Sequence, residues 1–216
     1  MSLHFQHELD ELKQKLLSMA GHAESAVSRA VQALIDRDSA LARQVDEDDQ
    51  ILDRYEIEVD DLSIKLLAKA PLATHLRLIT VAMKASHDLE RVGDEACKIA
   101  RRVQKLNAEP PLASRIDVPH MAAVALQLLK DALQGFVNGD SAKALAVIPR
   151  DKEVDALNKD ISQLLVNTMV ADQSTITRAL HLMTIAKSLE RIADHATNIA
   201  EEVVYLYEGR DVRHLK

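Results

Sequence analysis

Apolar residues recur three and four positions apart along most of this chain, which is the spacing of one face of an α-helix. In the first stretch Leu9, Leu12, Leu16 and Met19 follow this pattern. Proline, glycine, or aspartate followed by serine interrupts it. The pattern predicts six long helices, at about residues 3–35, 40–69, 74–106, 118–137, 141–170 and 175–207.

Two of the predicted boundaries rest on single residues. We expect Pro71 to end the second helix, because proline cannot continue a helix past its first turn. We expect Ser174 to cap the start of the sixth helix through its side-chain oxygen. The Pro-rich connection after residue 107 separates the third and fourth helices and is the predicted boundary between two halves.

The two halves of the chain repeat each other. Residues 38–40, Asp-Ser-Ala, recur 102 positions later as residues 140–142, and beyond the next turn the offset becomes 100. At that offset residues 89–91, Leu-Glu-Arg, match residues 189–191, and an aspartate and an Ile-Ala pair follow in both copies. Unrelated amphipathic helices would share apolar positions but not this order of polar residues. The repetition therefore indicates an internal duplication.

We therefore predict an all-α fold, built from two tandem three-helix bundles that an internal pseudo-twofold duplication relates. The first repeat is predicted to span residues 1–109 and the second residues 114–216. Composition agrees, because 5 glycines and 5 prolines in 216 residues are too few for a β-sandwich or barrel of this length.

Composition also narrows the classes of function. The net charge of −7 and an aromatic content of 2% argue against a nucleic-acid partner, which requires a basic face or stacking platforms. No apolar run approaches about 20 residues, so we expect no membrane insertion. The start of the chain lacks the apolar segment of a signal peptide, and Cys97 is the single cysteine. We therefore expect a cytoplasmic protein.

Each half carries two pairs of acidic residues four positions apart, a spacing that places both carboxylates on one face of a helix. The pairs are Asp49 with Asp53, Glu90 with Asp94, Asp151 with Asp155, and Glu190 with Asp194. In the first half both pairs are equally distant from the junction between Pro71 and Leu72, and in the second from that between Asp172 and Gln173. Antiparallel helices joined at these turns would bring four carboxylates to one level, outside the apolar stripe.

Clustered carboxylates without cysteines favour hard or borderline cations such as magnesium, manganese or iron. All eight acidic residues are therefore candidate metal ligands. The second cluster is expected to hold metal better, because Asn198 and Glu201 stand where the first half has Lys98 and Arg101. A solvated acidic face without a bound ion is the alternative interpretation.

Other candidate groups are weaker. His87 and His195 lie near the carboxylates but do not occupy equivalent places, so we interpret them as surface residues rather than ligands. The sequence contains no Gly-rich phosphate loop, nucleophile elbow or Cys/His zinc spacing. We therefore predict that the protein is not an enzyme.

Residues 89–96 and 189–201 resemble the paired signature of the PhoU family, and residues 8–19 and 70–77 are also similar to it. The resemblance covers nearly the whole chain. It implies two three-helix bundles with pseudo-twofold symmetry. It also implies metal ions at the acid-x-x-x-Asp pairs, iron first, or manganese, magnesium or zinc. Glu95 and Arg101 depart from the usual pattern in the first copy, so we expect the first site to bind metal less well.

The same resemblance implies a regulator of phosphate uptake that represses the phosphate-starvation response. The implied partners are the ATPase subunit of the phosphate ABC transporter and a membrane-bound sensor histidine kinase, and family members are often homodimers. Two alternatives remain open at this point. One is a metal-storage or di-metal redox protein that uses the same carboxylates, and the other is a purely structural helical module.

Overall fold

The computed structural model describes residues 3–69, 72–112 and 116–213, and these residues contain no β-strand. They form eight α-helices, which confirms the predicted all-α fold. The helices are α1 (Leu3–Asp36), α2 (Ser39–Glu47), α3 (Gln50–Leu67), α4 (Ala73–Asn107), α5 (Val118–Asn138), α6 (Ser141–Val147), α7 (Asp151–Ala171) and α8 (Ile176–Glu208). Helices α1–α4 build the first repeat and α5–α8 the second.

The predicted second and fifth helices each divide into two, at matched positions of the repeats. In the second repeat Pro149 lies in a 3-10 turn between α6 and α7. Proline donates no hydrogen bond there and its ring crowds the preceding turn. In the first repeat Glu47 takes its place, and α2 ends within an acidic run at residues 46–49. The pattern predicted one continuous helix because apolar positions stay in register across both breaks.

Equivalent side chains cap equivalent helices. Asp38 accepts hydrogen bonds from backbone N–H groups at the start of α2, and Asp140 does the same at the start of α6. The predicted cap of the last helix is wrong. Asp172, not Ser174, provides the cap, and it starts a 3-10 turn that precedes α8. Pro71 lies outside the described residues.

The third long helices of the two repeats, α4 and α8, pack antiparallel at the centre of the molecule. Lys84 near the start of α4 pairs with Glu202 near the end of α8, at 2.8 Å between Nζ and Oε1. Arg102 near the end of α4 lies 3.5 Å from His181 near the start of α8. One continuous core of mostly leucine, isoleucine, valine and alanine runs through both repeats. The α3–α4 and α7–α8 hairpins therefore belong to one body, which α4 and α8 join.

Among the residues that the structure describes, no helix combines the length and the apolar character needed to cross a membrane.

Candidate functional site

The α3–α4 hairpin places the four predicted carboxylates of the first repeat near one another. Asp49 directly precedes α3 and Asp53 lies in its first turn, while Glu90 and Asp94 lie midway along α4. The pKa of Asp53 is raised by burial first, and then by the negative charges of Asp49 and Asp94. The pKa of Glu90 is also raised, by burial first and then by Asp94. These acids therefore repel one another across the hairpin.

Arginines balance part of this charge. Arg91 lies 3.2 Å from Oε2 of Glu90 and 3.0 Å from Oδ2 of Asp94. Arg101 lies 3.7 Å from Oδ2 of Asp49. Because two guanidinium groups already contact three of the four acids, a cation has less uncompensated charge to bind here than in the second repeat.

The α7–α8 hairpin brings together the four acids of the second repeat. Burial raises the pKa of Asp151 to about 6, and the charges of Asp194, Asp155 and Glu190 add to the shift. The pKa of Asp194 is raised too, by burial first and then by Glu190 and Asp155. Lys187 forms an ion pair with Glu190. The backbone thus holds four mutually repelling carboxylates in one place.

The donor set of the second repeat fits a hard cation. Oδ1 of Asp151 is buried and accepts no hydrogen bond from any residue that the structure describes. A positive ion would supply the missing partner, and the charged groups that act on Asp151 are the acids Asp194, Asp155, Glu190 and Glu201, whose carboxylate oxygens such ions prefer. Metal binding at the eight acids remains a prediction, because these side chains would have to turn toward a shared ion.

A different group of ligand atoms is already compact. Within the described part of the chain, Glu56, His87 and Glu90 form the one group of at least three such side chains whose ligand atoms all lie within 4.8 Å of one another. Nδ1 of His87 lies 3.1 Å from Oε1 of Glu56. The exposure of His87 agrees with its interpretation as a surface residue, but its contact with Glu56 was not predicted. A signal existed, because Glu56 and His87 are equally distant from the junction between residues 71 and 72.

Two buried acids on α4, Asp88 and Glu95, have structural contacts that the sequence did not predict. Asp88 is in contact with His195, at 2.8 Å between Oδ1 and Nδ1, and accepts a hydrogen bond from Asn198. Glu95 accepts hydrogen bonds from Lys98, at 2.9 Å, and from Arg191, at 3.1 Å. Both acids lie where α4 packs against α8, so they join the two repeats, and Asp88 also lines the pocket that contains Glu56 and His87.

The pKa of Glu95 is lowered in spite of its burial. Burial alone would raise it, but hydrogen bonds from Ser188, Lys98 and Arg191 outweigh that cost. In the duplication Glu95 matches His195 and Asp88 matches Ser188. The contact between Glu95 and Ser188 is therefore the pseudo-twofold counterpart of the one between His195 and Asp88.

Cys97 does not provide a thiolate ligand. Its side chain is buried, and its Sγ lies 3.1 Å from Oδ1 of Asp49 and 3.5 Å from the carbonyl oxygen of Val45. Burial raises the pKa of the Cys97 thiol well above its ordinary range, and the charge of Asp49 adds to the effect. The thiol therefore donates to Asp49 as a neutral group.

A family model described as the PhoU domain matches the chain twice, at residues 16–103 and 118–203. The chain is 42% identical over 218 residues to a protein of Pseudomonas aeruginosa named phosphate-specific transport system accessory protein PhoU homolog, with 100% of this chain and 90% of the relative covered. It is 32% identical to the Escherichia coli K12 protein named phosphate-specific transport system accessory protein PhoU, with 98% and 88% covered.

Solved structures agree with these matches. The crystal structure of PhoU from Pseudomonas aeruginosa superposes with a TM-score of 0.93 at 41% identity, covering 95% of this chain and 100% of that one. That of the phosphate transport system regulatory protein PhoU from Streptococcus pneumoniae gives a TM-score of 0.89 at 28% identity, covering 96% and 99%. Both domain matches fall within the two predicted repeats.

Proposed function

Because the chain belongs to the PhoU family, we propose that it is a negative regulator of the phosphate-starvation response that links the phosphate ABC transporter to a two-component sensor kinase. The observation that carries the proposal is the match of both repeats to that family, whose relatives are named accessory proteins of phosphate-specific transport. The role is one of binding rather than catalysis. We place the protein in the cytoplasm, where the transporter ATPase and the kinase domain are accessible, and we expect it to act as a homodimer.

The acidic hairpins are the surfaces that we assign to this role. They are related by the pseudo-twofold of the duplication, so each repeat offers one acidic surface to a partner. Positive side chains on the ATPase or the kinase would complement either face. The regulatory role does not depend on the proposed metal binding.

Asp151, Asp155, Glu190 and Asp194 would hold iron or another di- or trivalent metal in the second repeat, and Asp49, Asp53, Glu90 and Asp94 would do so in the first. A bound ion would neutralise the repulsion within each cluster and offer coordination positions to oxygen atoms of a partner. The support is the buried, unpartnered Oδ1 of Asp151 among the described residues and the raised pKa values of its cluster.

The regulatory role is tested by deleting the gene and measuring a phosphate-regulated reporter in phosphate-rich medium. We expect high expression in the deletion strain and repression when the parent protein is restored. Affinity capture of the restored protein should retain the transporter ATPase and the sensor kinase. Unchanged reporter expression together with capture of neither partner would contradict the proposal.

The metal sites are tested separately by elemental analysis of untagged protein after loading with iron, manganese, magnesium or zinc. Glu190→Ala/Asp194→Ala should lose metal that the parent retains. Asp10→Ala/Glu11→Ala is the matched control, because it removes the same charge from the exposed face of α1. Equal metal content in all three proteins would mean that the acidic faces dock partners without an ion.

A further inference from the structure

We propose that Glu56, His87 and Glu90 form a mononuclear site for a borderline divalent cation, with zinc as the probe, on the first repeat alone. One ligand atom from each residue lies within 4.8 Å of the other two. Around a tetrahedral zinc ion with bonds of about 2.0–2.1 Å, ligand atoms lie roughly 3.4 Å apart. Small rotations of exposed or half-buried side chains are therefore enough to close the site.

The backbone fixes this arrangement. His87 and Glu90 are three residues apart on α4, so their side chains share a face one turn apart. Glu56 reaches them from α3, at the same distance from the hairpin turn as His87. The Glu56 carboxylate and the His87 imidazole already meet at 3.1 Å. Arg91 contacts Oε2 of Glu90, and Oε1 is the oxygen that we assign to the ion.

The imidazole of His87 distinguishes this site from the carboxylate clusters, the first of which shares Glu90 with it. An imidazole nitrogen favours zinc, cobalt, nickel or iron, whereas oxygen-only sets suit magnesium, calcium or manganese. His87 has 58% of its side chain exposed, so an ion can enter from solvent. Three protein ligands also leave a coordination position for water. Asp60 lines the same pocket as Glu56 and His87, so a further carboxylate lies near the site.

The second repeat shows what happens when the site is altered. The counterparts of Glu56, His87 and Glu90 are Asn158, Lys187 and Glu190. There the Lys187 ammonium group forms an ion pair with Glu190, so a fixed side-chain cation sits beside the retained acid. The first repeat has the same acid but offers a neutral ligand in place of that cation. The repeats thus differ in the side chain beside this acid, which is a lysine in the second repeat and a histidine able to bind a metal ion in the first.

Zinc binding to the full chain would be measured by titration calorimetry, with long-range proton–nitrogen NMR of the histidine rings. We expect His87→Ala to weaken the site by about tenfold or more and to lower the zinc stoichiometry by one. The exposed His120 on α5 provides the matched control, and His120→Ala should bind as the parent does. In the parent, the ring signals assigned to His87 should shift on zinc addition. Unshifted signals, or equal zinc affinity in His87→Ala, would overturn the proposal.

Glu90 also belongs to the first carboxylate cluster of the proposed function. That cluster is therefore tested by Asp49→Ala/Asp53→Ala and the second cluster by Glu190→Ala/Asp194→Ala, and both variants keep all three ligands of the new site. The His87 shift should persist in both variants. If zinc binding is lost in either of them but kept in His87→Ala, the metal belongs to that carboxylate cluster and the new site is wrong. Failure of the new site leaves the regulatory role untouched.

A gain-of-site variant tests whether the three ligands are sufficient. Asn158→Glu/Lys187→His builds the same triad in the second repeat, beside Glu190. We expect its zinc stoichiometry to rise by one, whereas Asn158→Glu alone should not gain a site because Lys187 stays in place. No gain in the double variant would show that these ligands at this spacing do not suffice, which would overturn the proposal.

Discussion

Gly93 on α4 packs so closely against Leu52 on α3 that a methyl group at Gly93 would overlap Cδ1 of Leu52. Leu52 is 3% exposed and has core on its other sides, so it cannot move away freely. We expect Gly93→Ala to lower the free energy of unfolding by about 1–3 kcal/mol, the usual cost of overpacking a core. Urea denaturation followed by circular dichroism measures this change.

The second repeat supplies the control for this prediction. It carries Val154 and Ala193 at the positions of Leu52 and Gly93, so a smaller side chain faces the added methyl group. We expect Leu52→Val/Gly93→Ala to recover most of the stability that Gly93→Ala loses. If the double variant is no more stable than Gly93→Ala, the clash with Leu52 is not the cause.

The raised pKa of Asp151 predicts that the stability of the metal-free protein depends on pH. Its pKa in the folded state is about 6, whereas 3.8 is the ordinary aspartate value. Between these values the folded state binds more protons than the unfolded state, so this group's contribution to stability falls as pH rises toward 6 and is lost above it. We expect Asp151→Asn to raise the melting temperature at pH 7.5, with a gain that shrinks toward pH 4.

Asp160 provides the matched control for Asp151, because it is an exposed aspartate on the same helix. The melting temperature of Asp160→Asn, relative to the parent, should stay nearly constant over the same pH range. A pH-independent effect of Asp151→Asn would mean that crowding of carboxylates does not control the stability of this hairpin.

The lowered pKa of Glu95 predicts that its contribution to stability depends on pH in the opposite direction. Its folded-state pKa lies below the ordinary glutamate value because Ser188, Lys98 and Arg191 donate to it. Its contribution to stability is therefore present above the unfolded pKa of 4.5 and is lost as pH falls through the lower folded value. We expect Glu95→Gln to cost about 1–3 kcal/mol at pH 7, as for other buried charged hydrogen bonds, and to approach the parent in acid.

Urea denaturation at pH 7 and pH 3.5 measures the effect of Glu95→Gln. The exposed Glu11 on α1 serves as the control, and Glu11→Gln should leave stability nearly unchanged at both values. Equal loss at both pH values would show that Glu95 acts through its shape and not through its charge.

The apolar period and the duplication were sufficient to predict the six helical segments and the pseudo-twofold, because both depend on spacing within the chain. The register argument placed Asp151, Asp155, Glu190 and Asp194 near one another, because an antiparallel hairpin fixes which residues are level. The same register also places Glu56 level with His87, but Glu56 was not among the acidic pairs from which the clusters were predicted. Its contact with His87 follows from the same geometry.

The crossing of α4 and α8 could not be predicted in this way. Asp88 contacts His195, 107 positions away, and Glu95 contacts Arg191, 96 positions away. No turn links these pairs directly, so their contacts depend on how the two repeats pack. The break between α2 and α3 was missed for another reason, because Glu47 carries no helix-breaking chemistry comparable to that of Pro149.

Gly139 ends α5 in the left-handed region, with φ at 67°. A Cβ at this position would lie 3.2 Å from the ring of Tyr207, whose hydroxyl donates to the carbonyl oxygen of Phe136 at 3.0 Å. Backbone strain and this contact both oppose a side chain, so we expect Gly139→Ala to lower the free energy of unfolding by about 1–2 kcal/mol or more.

Gly21, in the middle of α1, has nothing within 4 Å of the place where a Cβ would lie, and Gly21→Ala should stabilise the protein by up to about 1 kcal/mol. Thermal denaturation of both variants measures this contrast. No loss of stability in Gly139→Ala would show that the end of α5 does not require glycine, just as Arg37 takes a φ of 55° at the matching position of the first repeat.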